Sequence, residues 1–148
     1  MTEAPLVLAV LLTTVLLGLA LLHVYWAIAG VNAGTAIPTR ADGTRIMRPG
    51  RLASLAVAGA LAIAAALVAG RGWLTVPLVP MRVFHVGTMG VAAVFALRAI
   101  GDFRYVGLFK RVRGTPFARW DTWLFTPLCA LLAATAFAIA FSAVNPPL

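Results

Sequence analysis

The chain alternates between long apolar runs and short polar connectors. Pro5 to Ile28 is apolar apart from Thr13, Thr14 and His23, and it is longer than the about 20 helical residues that cross a hydrocarbon core. Leu52 to Ala69 is built largely of alanine, leucine and valine. A third run extends from about Pro80 to Ile100, and a fourth from Thr122 to Val144, closed by Asn145-Pro146-Pro147. Apolar runs of this length predict helices, because a helix satisfies its own backbone N–H and C=O groups where no water is at hand. The pattern predicts an all-α membrane protein, an antiparallel bundle of four spans in a single domain over residues 1–148.

Within the runs, small residues recur every fourth position. Ser54, Ala58, Ala62, Ala66 and Gly70 form one such series, and Ala130, Ala134, Ala138 and Ser142 another. Membrane helices associate by close backbone approach, so both series are expected to face neighbouring helices. A series on an outward side would suit a homo-oligomer or a membrane partner protein. Residues 31–50 read as a loop, in which Asp42-Gly43 is placed to turn a small hairpin between Ile37 and Met47. Gly70-Arg71-Gly72-Trp73, with Pro77 and Pro80, predicts a short turn.

Composition fixes the solvent. A chain 62% hydrophobic and 11% charged, with mean hydropathy +0.99, has too little polar surface for a water-soluble domain. The net charge of +8 raises nucleic acid as a partner, but the basic residues lie in short loops between apolar runs, and no nucleic acid is expected. Arg40, Arg45, Arg48, Arg51, Arg98, Arg104, Lys110, Arg111, Arg113 and Arg119 fall on one side, against Arg71 and Arg82 on the other. Cytoplasmic loops collect Lys and Arg, so residues 31–50 and 101–121 are placed in the cytoplasm and both termini outside. Tyr25, Trp26, Trp73, Tyr105, Trp120 and Trp123 then fall at span ends, where amphipathic rings belong. Ala27-Ile28-Ala29 resembles a signal-peptidase site, but Glu3 and the length of the run argue for an uncleaved helix. Cys129 is the one cysteine, which excludes an intrachain disulfide and a thiolate zinc cage, and it reads as packing.

The candidate chemistry sits at the cytoplasmic side. Arg82 and Arg98 are separated by about 24 Å of helix, so each reaches toward a different headgroup layer. His85 then belongs to the outer half and His23 to the inner half, with an axial gap of about 15 Å that excludes a shared metal or a bis-histidine haem. No metal or cofactor is expected. Asp102 follows the C-terminal end of the third span, where the helix dipole disfavours negative charge, so a partner is required. His23, Arg104 or a basic residue of the first loop are the candidates. A His23–Asp102 pair would serve as acid and base. Asp121 reads as the N-cap of the fourth span. Between the aspartates, Phe103, Val106, Phe109 and Val112 recur every third residue among Arg104, Lys110, Arg111 and Arg113. That spacing predicts a short interfacial helix, bent at Gly101 and Gly107, with aromatics among acyl chains and cations near phosphates.

His23-Val-Tyr-Trp-Ala, Ala36-Ile-Pro, Gly101-Asp-Phe-Arg-Tyr-Val-Gly-Leu-Phe-Lys-Arg-Val-Arg, Phe117-Ala-Arg-Trp-Asp-Thr and Pro127-Leu-Cys together resemble a family of small bacterial four-span membrane proteins, domain-of-unknown-function family 3995. The resemblance covers nearly the whole chain, departing at Phe125-Thr126 and at Ala29-Gly30. It implies a bacterial cytoplasmic membrane and no particular reaction. Three roles follow from the residues. The first is a non-catalytic module that binds membrane lipids with anionic headgroups, or a partner, through the basic aromatic segment. Arg98, Arg104, Lys110, Arg111 and Arg113 would hold the anion, with Tyr25, Trp26, Tyr105 and Trp120 around it. The second is an enzyme on a lipid-borne substrate, with His23 and Asp102 as the acid–base pair. The third is a small proton-linked transporter, disfavoured because no span carries a charge near its middle.

Overall fold

A computed structural model describes residues 3–30, 37–40, 42, 44–46, 50–74 and 76–142. Its helices are α1 (Glu3–Ala29), α2 (Arg51–Gly72), α3 (Met81–Ile100), α4 (Pro116–Trp120) and α5 (Thr126–Phe141), with a π-helical turn, Asp121–Phe125, joining the last two. The protein is all-helical, and α1, α2, α3 and the continuous Pro116–Phe141 segment are four helices long and apolar enough to cross a membrane. Their outward faces carry large apolar side chains such as Leu21, Ile63, Val94 and Leu131, each more than 60% exposed. Contiguous apolar surface of this extent suits lipid and not water.

The core is narrow and runs along the bundle axis through Leu12, Leu16, Val68, Val91, Ala136 and Ile139. α1 packs along α2, and α3 along α5. Gly72 at the end of α2 lies against Ala9 near the start of α1, so that a β-carbon there would sit 2.5 Å from that of Ala9. Gly70 lies against the ring of Phe84 at the start of α3. Thr88, fully buried, donates to the Leu67 carbonyl at 3.3 Å and ties α3 to α2.

The packing faces differ from the every-fourth expectation. Ser54, Ala58 and Gly70 are buried, but Ala62 and Ala66 are exposed, and the buried series continues instead through Ala65, Val68, Ala69 and Gly72. Ala130, Ala134 and Ala138 are all exposed, and α5 buries Leu132, Ala133, Ala136, Ile139 and Ala140. Four residues turn a helix by about 400°, so a fixed spacing of four drifts by about 40° each step and winds away from a partner.

Two boundaries also move. α2 continues through Gly70, Arg71 and Gly72, where a turn is expected. The last span starts at Pro116 and not at Thr122, with Thr115 as its N-cap: the Thr115 hydroxyl accepts from the Ala118 N–H at 3.1 Å. In the first loop, Thr39 and Arg45 form an antiparallel bridge, and Asp42 accepts from the Thr44 N–H at 2.9 Å. This agrees with a turn at Asp42, while Gly43, Met47 and the Asn145-Pro146-Pro147 end lie outside the described residues.

Candidate functional site

Asp121 is wholly buried and accepts four hydrogen bonds. One oxygen takes Arg98 Nη2 at 2.8 Å; the other takes the Gly107 N–H at 2.8 Å, Lys110 Nζ at 3.0 Å and the Thr126 hydroxyl at 3.1 Å. The carboxylate is the hub joining α3, the following loop and the last span, and the N-cap expected of it belongs to Thr115. Its placement depends on the π turn. Pro127 has no N–H and its ring crowds the Trp123 carbonyl, so the regular helical ladder is interrupted there. The Thr126 N–H bonds instead to the Asp121 carbonyl, five residues back, and the extra residue in that turn rotates Asp121 toward α3.

Residues 101–115 form an ordered loop of bends and turns, not the short helix expected from the every-third spacing. The Asp102 carboxylate accepts from the N–H groups of Arg104, Tyr105 and Val106 at 2.9, 2.7 and 2.9 Å. Its own N–H donates to the Val106 carbonyl at 3.2 Å. Burial alone would raise the carboxyl pKa, but the Tyr105, Val106 and Arg104 amides outweigh it and hold it below the ordinary carboxylate range. Gly101 and Gly107, both at φ +89°, close the loop backbone to backbone. A β-carbon on Gly101 would run into the Val106 carbonyl, and one on Gly107 into the Ile100 carbonyl. Only glycine fits at either position.

The loop sorts its cations. Lys110 is 4% exposed and fixed by Asp121 and by the Gly107 carbonyl at 3.0 Å, so it is not free to hold a headgroup as expected. Arg104, Arg111 and Arg113 are exposed, with Arg104 lying 5.2 Å from the centre of the half-buried Tyr105 ring. Phe103 and Phe109 stack at 6.0 Å, both more than half exposed, and Trp120 on α4 is exposed as well. The loop thus presents an apolar aromatic pair among three guanidinium groups.

His23 and Asp102 make separate bonds. His23 Nδ1 must donate to the Leu19 carbonyl at 2.8 Å, which leaves Nε2 as the ring's other nitrogen, and the ring packs edge-on to Trp26 at 4.9 Å. No hydrogen bond joins His23 to Asp102 among the described residues. Tyr25 is exposed on the same turn. His23 instead lines a chamber of about 380 Å³ with Trp26, Phe117, Phe125 and Arg98. Arg98 carries the polar end of that chamber, one-third exposed, with Nη2 on Asp121 and Nη1 buried and unbonded. His85 is at the other end of the bundle, where its Nδ1 donates to the Ala140 carbonyl at 3.0 Å. Arg71 is buried there too, its Nη2 donating to the carbonyls of Ala140 and Ser142 at 2.9 and 2.7 Å.

Several of these roles escaped sequence reasoning although signals for some exist. Thr115-Pro116 is a cap followed by proline at the first helical position, and Pro127 marks the interrupted ladder. Thr126 and the Gly107 N–H carry no such mark.

Fold and site define an all-helical protein, with four helices suited to cross a membrane and a buried ion cluster where the last begins. The chain belongs to the family described as protein of unknown function (DUF3995), whose model matches residues 16–136. No curated protein and no solved structure matches it.

Proposed function

We propose that this chain is a non-catalytic protein of the bacterial cytoplasmic membrane, with both termini outside, whose ordered basic loop binds anionic lipid headgroups at the inner leaflet. The observation that carries the reading is the division of labour in residues 101–115. Lys110 and Asp121 tie the loop down, while Arg104, Arg111 and Arg113 are left exposed on the loop that carries the Phe103–Phe109 stack. Exposed cations beside exposed aromatics suit the zone where phosphates meet acyl chains. A loop ordered before its ligand arrives also loses little entropy on binding. The acid–base reading finds less support, since three backbone amides hold Asp102 as a carboxylate and weaken it as a base.

Native mass spectrometry of the protein extracted with its own lipids tests the proposal. One anionic phospholipid class is expected to be retained, and to be lost on Arg104→Ala combined with Arg111→Ala and Arg113→Ala. Carry-over that mirrors bulk membrane composition and ignores those substitutions would sink it.

A further inference from the structure

The His23–Arg98 chamber shares a wall with a second cavity. A groove of about 600 Å³ between α2 and α3 is lined by Ala60, Ala64, Gly87, Gly90, Phe95 and Arg98. Val57, Leu61, Phe95 and Arg98 line both spaces. Small side chains leave the groove open from Arg98 to Gly87, a run of about 16 Å along α3. Its walls are almost wholly apolar, and its polar residue stands at one end. That is the shape of an amphiphile's site: a tail along the helix and a head at Arg98.

The charge at that end selects the head. Arg98 and Lys110 bring two positive charges and Asp121 one negative, so the cluster keeps a surplus of one. Arg98 Nη1 has no partner although it is buried, and a buried guanidinium nitrogen without an acceptor is a standing deficit. A monoanion at that end would accept a charge-assisted hydrogen bond from the Arg98 guanidinium. A phosphate monoester brings nearer two charges than one, more than the surplus matches. The groove suits one slim chain, since its volume falls within the about 300 to 1,000 Å³ of small-ligand pockets.

We propose that the α2–α3 groove binds a single-chain fatty acid, its carboxylate on Arg98 and its tail along the groove. The site is separate from the exposed face of the loop, so either proposal can fail while the other stands.

The experiment uses the full-length protein in an uncharged maltoside detergent, with the fluorescent fatty acid cis-parinaric acid as probe. Palmitate and hexadecanol compete for it. Palmitate is expected to displace the probe at least tenfold more strongly than hexadecanol. Gly90→Phe is expected to weaken probe binding by tenfold or more, because Gly90 lines the groove and a β-carbon there meets nothing within 4 Å, so the ring is directed into it. His23→Phe, which keeps a ring against Trp26, is expected to leave both palmitate and hexadecanol unchanged, because His23 lines only the neighbouring chamber. Unchanged melting temperatures confirm that the variants fold. Equal competition by the alcohol would overturn the choice of head, and unaltered binding in Gly90→Phe would overturn the choice of groove. Light scattering that shows a dimer broken by Gly90→Phe, with no probe bound before or after, would make the groove an interface between copies and end the proposal.

Discussion

Arg98 and Arg71 both tie an earlier helix to the last one, but at opposite ends of the bundle and against different partners. Arg98 reaches the side chain of Asp121, at the start of the last span. Arg71 reaches the carbonyls of Ala140 and Ser142, where that span stops. The exposed end of a helix C-terminus concentrates about half a unit of negative charge, enough to favour a cation without neutralising it. Asp121 supplies a full charge, shared between Arg98 and Lys110, and it also holds the Gly107 amide and the Thr126 hydroxyl. One end is therefore a network whose hub takes the shared acceptor from all the others if removed. At the other, a cation rests on backbone oxygens, and His85 shares the Ala140 carbonyl with it.

The largest break in this comparison comes from the hub. Asp121→Ala leaves buried Lys110 without its counter-charge and half-buried Arg98 and the Gly107 amide without an acceptor, and stranding a buried charge costs about 3 to 5 kcal/mol. Reversible unfolding in mixed detergent micelles reads that loss. A double variant, Asp121→Ala with Lys110→Met, is expected to recover part of it, because one stranded charge has gone. No recovery would mean that the carboxylate acts on the fold by some path other than charge.

Next in size is Gly107→Ala. The new methyl group meets the Ile100 carbonyl at a backbone angle that L-residues rarely adopt, and such conformations cost about 1 to 3 kcal/mol before the clash is counted. The same substitution at Gly90, open on all sides, is expected to leave the unfolding midpoint unmoved or to raise it slightly. Similar losses at both glycines would contradict the backbone contact that closes the loop.

Arg71→Met is expected to be milder than the loss of Asp121, although Arg71 is the more buried of the two arginines. The variant forfeits a favourable dipole contact, about 2 kcal/mol at most, and at the same time removes a charge whose burial was itself unfavourable. A net loss below that of Asp121→Ala in the same unfolding assay supports the contrast between the ends. A loss equal to it would mean that the helix terminus holds the guanidinium as tightly as a carboxylate does.

How much of this was legible depended on whether a residue acts through its neighbours in sequence. The spans were legible because runs such as Pro5 to Ile28 declare their solvent without any tertiary information. The packing faces were less so: Ala62 and Ala66 fit a spacing of four, but the helix completes its turn in fewer than four residues, and the buried series passes to Ala65 and Val68. Asp121 was misread for a different reason. Its position before an apolar run satisfies every local sign of a cap, and only the distant Arg98 and Gly107 show it to be a hub. Arg71 looked like a turn residue because it stands between two glycines, and those glycines instead let α1 and α3 approach α2 closely.

The finest test of the contrast lies in Asp102, which holds the loop's backbone where Asp121 holds its charges. Ionised Asp102 accepts three amide hydrogens and its pKa is lowered by them, so it adds stability above the ordinary carboxylate range. That increment is lost as pH falls through the depressed folded-state value, because the unfolded chain takes up its proton first. Asp102→Asn keeps an oxygen for the amides but not the charge, and about 1 kcal/mol of loss is expected at neutral pH. As the medium is acidified toward the folded-state pKa, the unfolding curves of parent and variant should converge, with the variant changing the less of the two. Curves that stay parallel to the acid limit would show that the amides respond to the shape of the side chain and not to its charge.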